Sequence, residues 1–254
     1  MEPKRVLSVL AHPDDAEFLC AGTLALLREK GWEVHIATMT PGQAGSATLG
    51  PEQIAAIRRQ EAAAAAAVID GRYACLECED AFIRHDRETF LKVVTLLRQV
   101  KPAVVLAHSP QDYLYDHEVT SLIVRNAVFW STVPNLKTPQ GEAFRPMPHL
   151  YYCDPLDGTD ILGQSVQPKT VVDVTSVIET KSAMLARHAS QRDWLRQQHG
   201  TDEYLLAMKR MGQSRGALAG CGYGEGFRQH LGNAYPTNDI LADELGQRVY
   251  KIGD

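Results

Sequence analysis

The chain alternates apolar runs with helical patterns, and the runs end on chemically capable residues. Val6 to Ala11 is near-continuously apolar and partly β-branched, as a parallel strand buried on both faces requires. It stops abruptly at His12, Pro13, Asp14 and Asp15. Ala21 to Lys30 then reads as a helix, closed by Gly31, and Glu33 to Thr40 as a second strand. Strand, helix and strand within some forty residues predict a right-handed βαβ unit. Pro41 to Pro51 is rich in glycine and small polar residues; leaving the end of the second strand, it should border the same crevice as His12.

Glu52 to Val68, with six consecutive alanines, is a strong helix. A short strand is expected over Cys75 to Glu79, with Asp80 at its exit, and a helix over Arg87 to Gln99, ended before Lys101 and Pro102. Ala103 to Ala107 is the clearest remaining buried strand and runs into His108, followed by a polar stretch to His117. Glu118 to Ser131 has helical spacing, with Asp116 as its N-cap. Leu150 to Cys153 and Thr170 to Val174 are short strands. A long helix follows from Ser176 to about His199, and another from Asp202 to Leu218. The glycine-dense segment Gly220 to Arg228 reads as a series of turns or a loop close to a ligand. The sum is an α/β fold: a Rossmann-like three-layer sandwich with a mostly parallel sheet and a C-terminal helical elaboration, as one domain over residues 1–254.

Composition narrows the function classes. Apolar content of 44% and charged content of 22% are those of a globular protein with a substantial core. A net charge of -5 without a basic cluster argues against a nucleic-acid partner. The first apolar run is too short for a signal peptide and nothing approaches a membrane span, so the expected location is cytoplasmic. Five scattered cysteines read as reduced thiols. Cys75 and Cys78 match C-x-x-C, but one pair cannot close a zinc site and its setting is not that of a redox motif. No phosphate-cradling glycine fingerprint occurs, which leaves a nucleotide-binding reading weak.

Ligand sites in open α/β sheets lie outside the carboxyl ends of the strands. His12 and Asp15 follow one such end and His117 follows another. Three ligands of these types leave a tetrahedral metal one open position for water, the pattern of a catalytic site. The plainer alternative is an ordinary loop in which Asp14 or Asp15 caps a helix.

The motifs resemble those of a known family. Ala11-His12-Pro13-Asp14-Asp15 is similar to the A-H-P-D-D signature of the LmbE-like, PIG-L zinc-dependent de-N-acetylases. Arg58-x-x-Glu61, Asp116-His117, His188-x-Ser190-Gln191 and Glu225-x-Phe227-Arg228 follow in family order. The resemblance implies Zn²⁺, or another divalent metal such as Fe²⁺, held by His12, Asp15 and His117, with Asp14 as general base. It implies Arg58 as a substrate contact; a helix-surface pair with Glu61 is the alternative. The substrate it implies is a small N-acetylated amino sugar or conjugate, and self-association is compatible with it. One departure stands out. The first histidine of the family's H-x-D-H motif is Leu114 here, which can neither stabilise an oxyanion nor protonate an amine. His188 is the favoured catalytic substitute, ahead of Tyr113, Tyr115 and His108. The departure keeps two other readings open: an amidase acting on a non-sugar amide, and a non-catalytic binder.

Overall fold

A computed structural model of the protein describes residues 3–192 and 203–253. Strands β1 (Arg5–Leu10), β2 (Glu33–Thr38), β3 (Arg72–Cys75), β4 (Val104–Ala107), β5 (His149–Cys153), β6 (Thr170–Asp173), β7 (Gly224–Gln229) and β8 (Val249–Lys251) form one sheet. Their order is β3-β2-β1-β4-β5-β7-β6-β8. The first five run parallel; β7 lies antiparallel between β5 and β6, and β8 closes the edge antiparallel to β6.

The two faces follow from the alternation of side chains along a strand. Val6 and Leu10 of β1, with Val104 and Leu106 of β4, face one layer. It is built by α1 (Asp15–Leu19), α2 (Ala21–Glu29), α3 (Pro51–Ala67), α6 (Ile178–Leu185) and α8 (Ile240–Leu245). Leu7, Val9, Val105 and Ala107 face the other, where α4 (Arg87–Val100) and α5 (Tyr115–Ser131) contribute Val93, Leu97, Ile123 and Val128. Both faces being covered is why these strands read as unbroken apolar runs. Truncating a fully buried residue such as Leu97 to alanine costs about 2–5 kcal/mol. No helix among the described residues is long and apolar enough to cross a membrane.

The structure redraws several expected elements. The expected first helix is α2, but a short helix, α1, precedes it, and the chain breaks at Cys20 between the two. β3 begins three residues earlier than expected, although the Leu76 and Cys78 N–H groups still bond Thr38 and Met39 carbonyls. Neither cysteine of the C-x-x-C pair is bridged, and burial pushes both thiols up. The long helix from Ser176 is broken: a 3₁₀ turn leads into α6, which stops at Leu185, and His188 lies in the gap before a new helical turn. Residues 193–202, including the rest of that expected helix and Asp202, lie outside the described residues; α7 spans Glu203–Ala219.

The glycine-dense segment is a correction of kind. After a turn it becomes β7, so the C-terminal elaboration adds strands as well as helices. Its glycines serve packing: a Cβ on Gly224 would stand 2.9 Å from the Gly216 nitrogen of α7, and one on Gly226 would stand 2.0 Å from Asp154 Oδ2. Only a bare backbone lets a helix and a buried carboxylate press so closely on a strand.

Candidate functional site

The end of β1 delivers the first ligand candidates. The His12 N–H donates to Asp15 Oδ2 at 2.7 Å, and the Ala11 N–H donates to His108 Nε2 at 2.9 Å, tying β1 to the end of β4. From the first turn of α5, His117 stacks on His108, with ring centroids 3.9 Å apart. One donor atom from each of His12, Asp15 and His117 lies within 4.8 Å of the others. The structure therefore brings the three expected ligands together.

Carboxylates behind both histidines orient them. His117 Nδ1 donates to Asp112 Oδ1 at 2.9 Å, which leaves Nε2 as the free donor, 3.5 Å from Asp15 Oδ1. His12 Nε2 lies 3.0 Å from Asp80 Oδ1 and 3.3 Å from Asp116 Oδ2, leaving Nδ1 toward Asp15. The Ala44 and Ala81 N–H groups hold Asp80 and Asp116 in turn. Histidine–carboxylate partnerships of this kind set the tautomer and basicity of metal ligands. Two further triads, His108–Asp112–His117 and His12–Asp80–Asp116, are as compact. Their carboxylates are already partners of the first set, and His108 is fully enclosed.

Asp116 is thus not the N-cap of α5. That position is Leu114, and Asp116 lies buried in the first turn, serving His12 and Ala81. Leu114 offers only its backbone there.

Asp14 points elsewhere. Its φ of 99° is a left-handed conformation costly for a non-glycine residue, and it turns the side chain away from its neighbour Asp15. Arg58 Nη2 approaches Asp14 Oδ2 at 3.4 Å, and the Tyr204 hydroxyl donates to the same oxygen. Arg58 also donates to the carbonyls of Pro13 at 2.6 Å and Gly42 at 3.3 Å. The helix-surface pair with Glu61 does not form. Glu61 instead accepts from the Ser190 N–H and hydroxyl, each at 2.7 Å, while Gln191 donates to the Gly45 carbonyl. The small-residue loop 41–51 thus borders the site, as its position after β2 implies. A Cβ on Gly42, at φ 72°, would stand 2.3 Å from Arg58 Nη1.

The adjacent carboxylates diverge electrostatically. Burial raises the Asp14 carboxyl, with Arg58 offsetting part of the effect. Burial also disfavours the Asp15 anion, but the His117 and His108 rings outweigh it and hold its carboxyl well below the usual range. Burial tends to lower His12 and His117. Against it, hydrogen bonds to Asp116, Asp15 and Asp80 raise His12 well above its ordinary value, and Asp15 and Asp112 raise His117. A site whose carboxylates are pushed apart suits one as a fixed anion and the other as a proton acceptor.

His188 is fully buried, with Nε2 3.3 Å from Glu17 Oε2. It lies behind Asp14 and does not line the cavity that opens over the cluster. That cavity, about 450 Å³, has Asp14, Asp15 and His117 at its floor and Phe18, Leu19, Leu156 and Ala207 among its walls. A larger groove of about 860 Å³, between β3 and α4, contains none of these groups. Of the remaining motif, Glu225 forms a buried ion pair with Lys181 at 2.6 Å, and Arg228 holds Ser109 and Gln111 after β4.

Asp80, Asp112 and Tyr204 were not singled out from the sequence as site residues. Asp112 lies five positions before His117 across a turn, a spacing that signals nothing, and Tyr204 arrives from a helix late in the chain.

A mixed, largely parallel sheet carrying a His/Asp donor set at its strand ends, under an open cavity, defines an α/β protein with a candidate metal site. The GlcNAc-PI de-N-acetylase (PIG-L, LmbE-like) family profile matches residues 7–128 of the chain. The chain is 28% identical to a 4-oxalmesaconate hydratase of Pseudomonas putida over 196 residues, 74% of each chain. It is 26% identical to a 1D-myo-inositol 2-acetamido-2-deoxy-alpha-D-glucopyranoside deacetylase of a Mycobacterium species, over 74% of each. The fold matches an N,N'-diacetylchitobiose deacetylase from Pyrococcus horikoshii with a TM-score of 0.77 and 25% identity, over 94% of this chain and 89% of that one.

Proposed function

We propose that the protein is a metal-dependent hydrolase that removes the acetyl group from an N-acetylated amino sugar or its conjugate. The observation that carries this reading is the split between Asp15, drawn into a three-donor cluster, and Asp14, turned away with its carboxyl raised. Two imidazoles and a carboxylate suit Zn²⁺, with Fe²⁺ as the other candidate. His12, Asp15 and His117 would hold it. When bound, such an ion polarises a carbonyl oxygen and acidifies water.

The chain's own residues supply the rest. Asp14 takes the proton from the attacking water as the oxygen adds to the acetamide carbon, and passes it to the nitrogen as the C–N bond breaks. The products are acetate and a free amine. Arg58 braces Asp14 and the carbonyls of Pro13 and Gly42 from outside the cavity lining, and so bears on the reaction through Asp14. His188, enclosed against Glu17, acts on Asp14 through its charge rather than by touching substrate.

Acetate release from a panel of N-acetylglucosamine conjugates and non-sugar amides, with and without a chelator, tests the proposal. Chelator-sensitive release supports it. Absence of release from every amide by zinc-loaded protein sinks it. The hydratase relative and Leu114 favour a second reading, in which the same water adds across a carbon–carbon double bond. Loss of ultraviolet absorbance from an unsaturated acid, without acetate release, would select that reading.

A further inference from the structure

The cavity over the cluster has a chemical character of its own. Phe18 and Leu19 of α1 line it, together with Leu156 from the turn after β5. Tyr204 and Ala207 of α7 complete an apolar lining. Among the described residues lining it there is no lysine or arginine; the charged groups are Asp14, Asp15, Asp157 and Glu203. Glu203 is paired with Arg210 at 2.7 Å. Asp157 is exposed at the mouth, on a turn that holds it at a φ of 56°. That turn is seated on Arg215, since a Cβ on Gly158 would stand 1.7 Å from its Nη2. Arg215 is itself committed to Asp154 at 2.7 Å and to the Val166 carbonyl, and it does not line the cavity.

We propose that the acyl amine taken by this site is carried on an uncharged group with an apolar face, aryl or alkyl, and that Asp157 sets this preference. The inference rests on the deacetylase reading and narrows it. The walls reward burial of an apolar ring or chain. An anionic carrier, bearing a carboxylate or phosphate, meets the like charge of Asp157 at the mouth, where the described lining offers no lysine or arginine to offset it. A hydroxyl on the carrier, by contrast, donates to the Asp157 carboxylate.

Phenyl and 4-carboxyphenyl N-acetylglucosaminide are the probes. On the full-length, zinc-loaded protein, kcat/KM should favour the phenyl glycoside by at least tenfold. Asp157→Asn, which keeps the tolerance for a left-handed turn, should shrink that ratio, and Leu156→Arg should reverse it. Equal kcat/KM for the two probes, or a ratio unmoved by both variants, overturns the proposal. Calorimetry with the two deacetylated glycosides gives a readout independent of turnover, with tighter binding of the phenyl amine expected. If no acetate is released from any amide but the phenyl amine still binds tighter, the catalytic reading has failed and the cavity preference stands. Equal binding of the two amines overturns the preference.

Discussion

The imidazole of His117 donates through Nδ1 to Asp112 Oδ1 at 2.9 Å, and this bond decides which ring nitrogen faces Asp15. Asp112 is fully buried and reaches His117 from the far end of the loop after β4. Removing it frees the ring to rotate and to change tautomer. Asp112→Ala should therefore weaken metal affinity by about 10- to 100-fold. Competition with a chromophoric chelator measures it, and an unchanged affinity would deny Asp112 its orienting role.

Asp14→Asn removes the proton acceptor while keeping shape and the contact with Tyr204. Turnover should fall by about 10²- to 10⁴-fold with the metal content intact. Full activity in a metal-replete variant would exclude Asp14 as the base.

Metal loading should depend on pH with a definite sign. Neighbouring carboxylates outweigh burial and raise His12 and His117, so protons stay on both rings to higher pH than on free imidazole. A cation must displace those protons, so affinity should climb as pH rises above 6.5 and fall away in acid. Zinc titrations across pH 6 to 9 check this; a flat profile contradicts it.

The buried pair of Lys181 and Glu225 joins the two halves of the fold. Glu225 accepts from the Gly22 and Thr23 N–H groups at the start of α2, and Lys181 donates to the Phe18 carbonyl at the end of α1. Lys181→Met leaves an uncompensated carboxylate and should cost about 3–5 kcal/mol in urea unfolding. A loss under 1 kcal/mol would mean that water reaches Glu225.

Asp154 predicts a second pH effect. Burial lifts its carboxyl to about 6 despite Arg215. The folded state therefore holds a proton that the unfolded chain has released, and stability should decline as pH rises from about 4 to 6, by about 3 kcal/mol in all. In Asp154→Asn this segment of the profile should be flat, whatever the variant's absolute stability. An equal slope in both proteins would assign the effect to another group.

Local signals carried much of this fold. β1 and β4 were legible because burial on both faces demands unbroken apolar runs, and α3 because its alanines favour helix wherever they lie. His12, Asp15 and His117 were legible because a strand that ends in a parallel sheet must place its next residues at the ligand-binding edge. The break at His188 carried no proline or glycine to announce it, and Gly224 and Gly226 looked like turns because a strand's need for bare backbone is invisible without its neighbours.

The sequence by itself determined the strand ends, the candidate donor residues that follow them and the adjacent pair of carboxylates. Tertiary structure alone decided that Arg58 braces Asp14, that His188 is sealed against Glu17, and that Asp80 and Asp112 stand behind the two imidazoles. The physical reason is range. Periodicity and propensity act over a few residues, whereas the charge and orientation of a buried group are set by whatever the topology packs against it, from any distance along the chain.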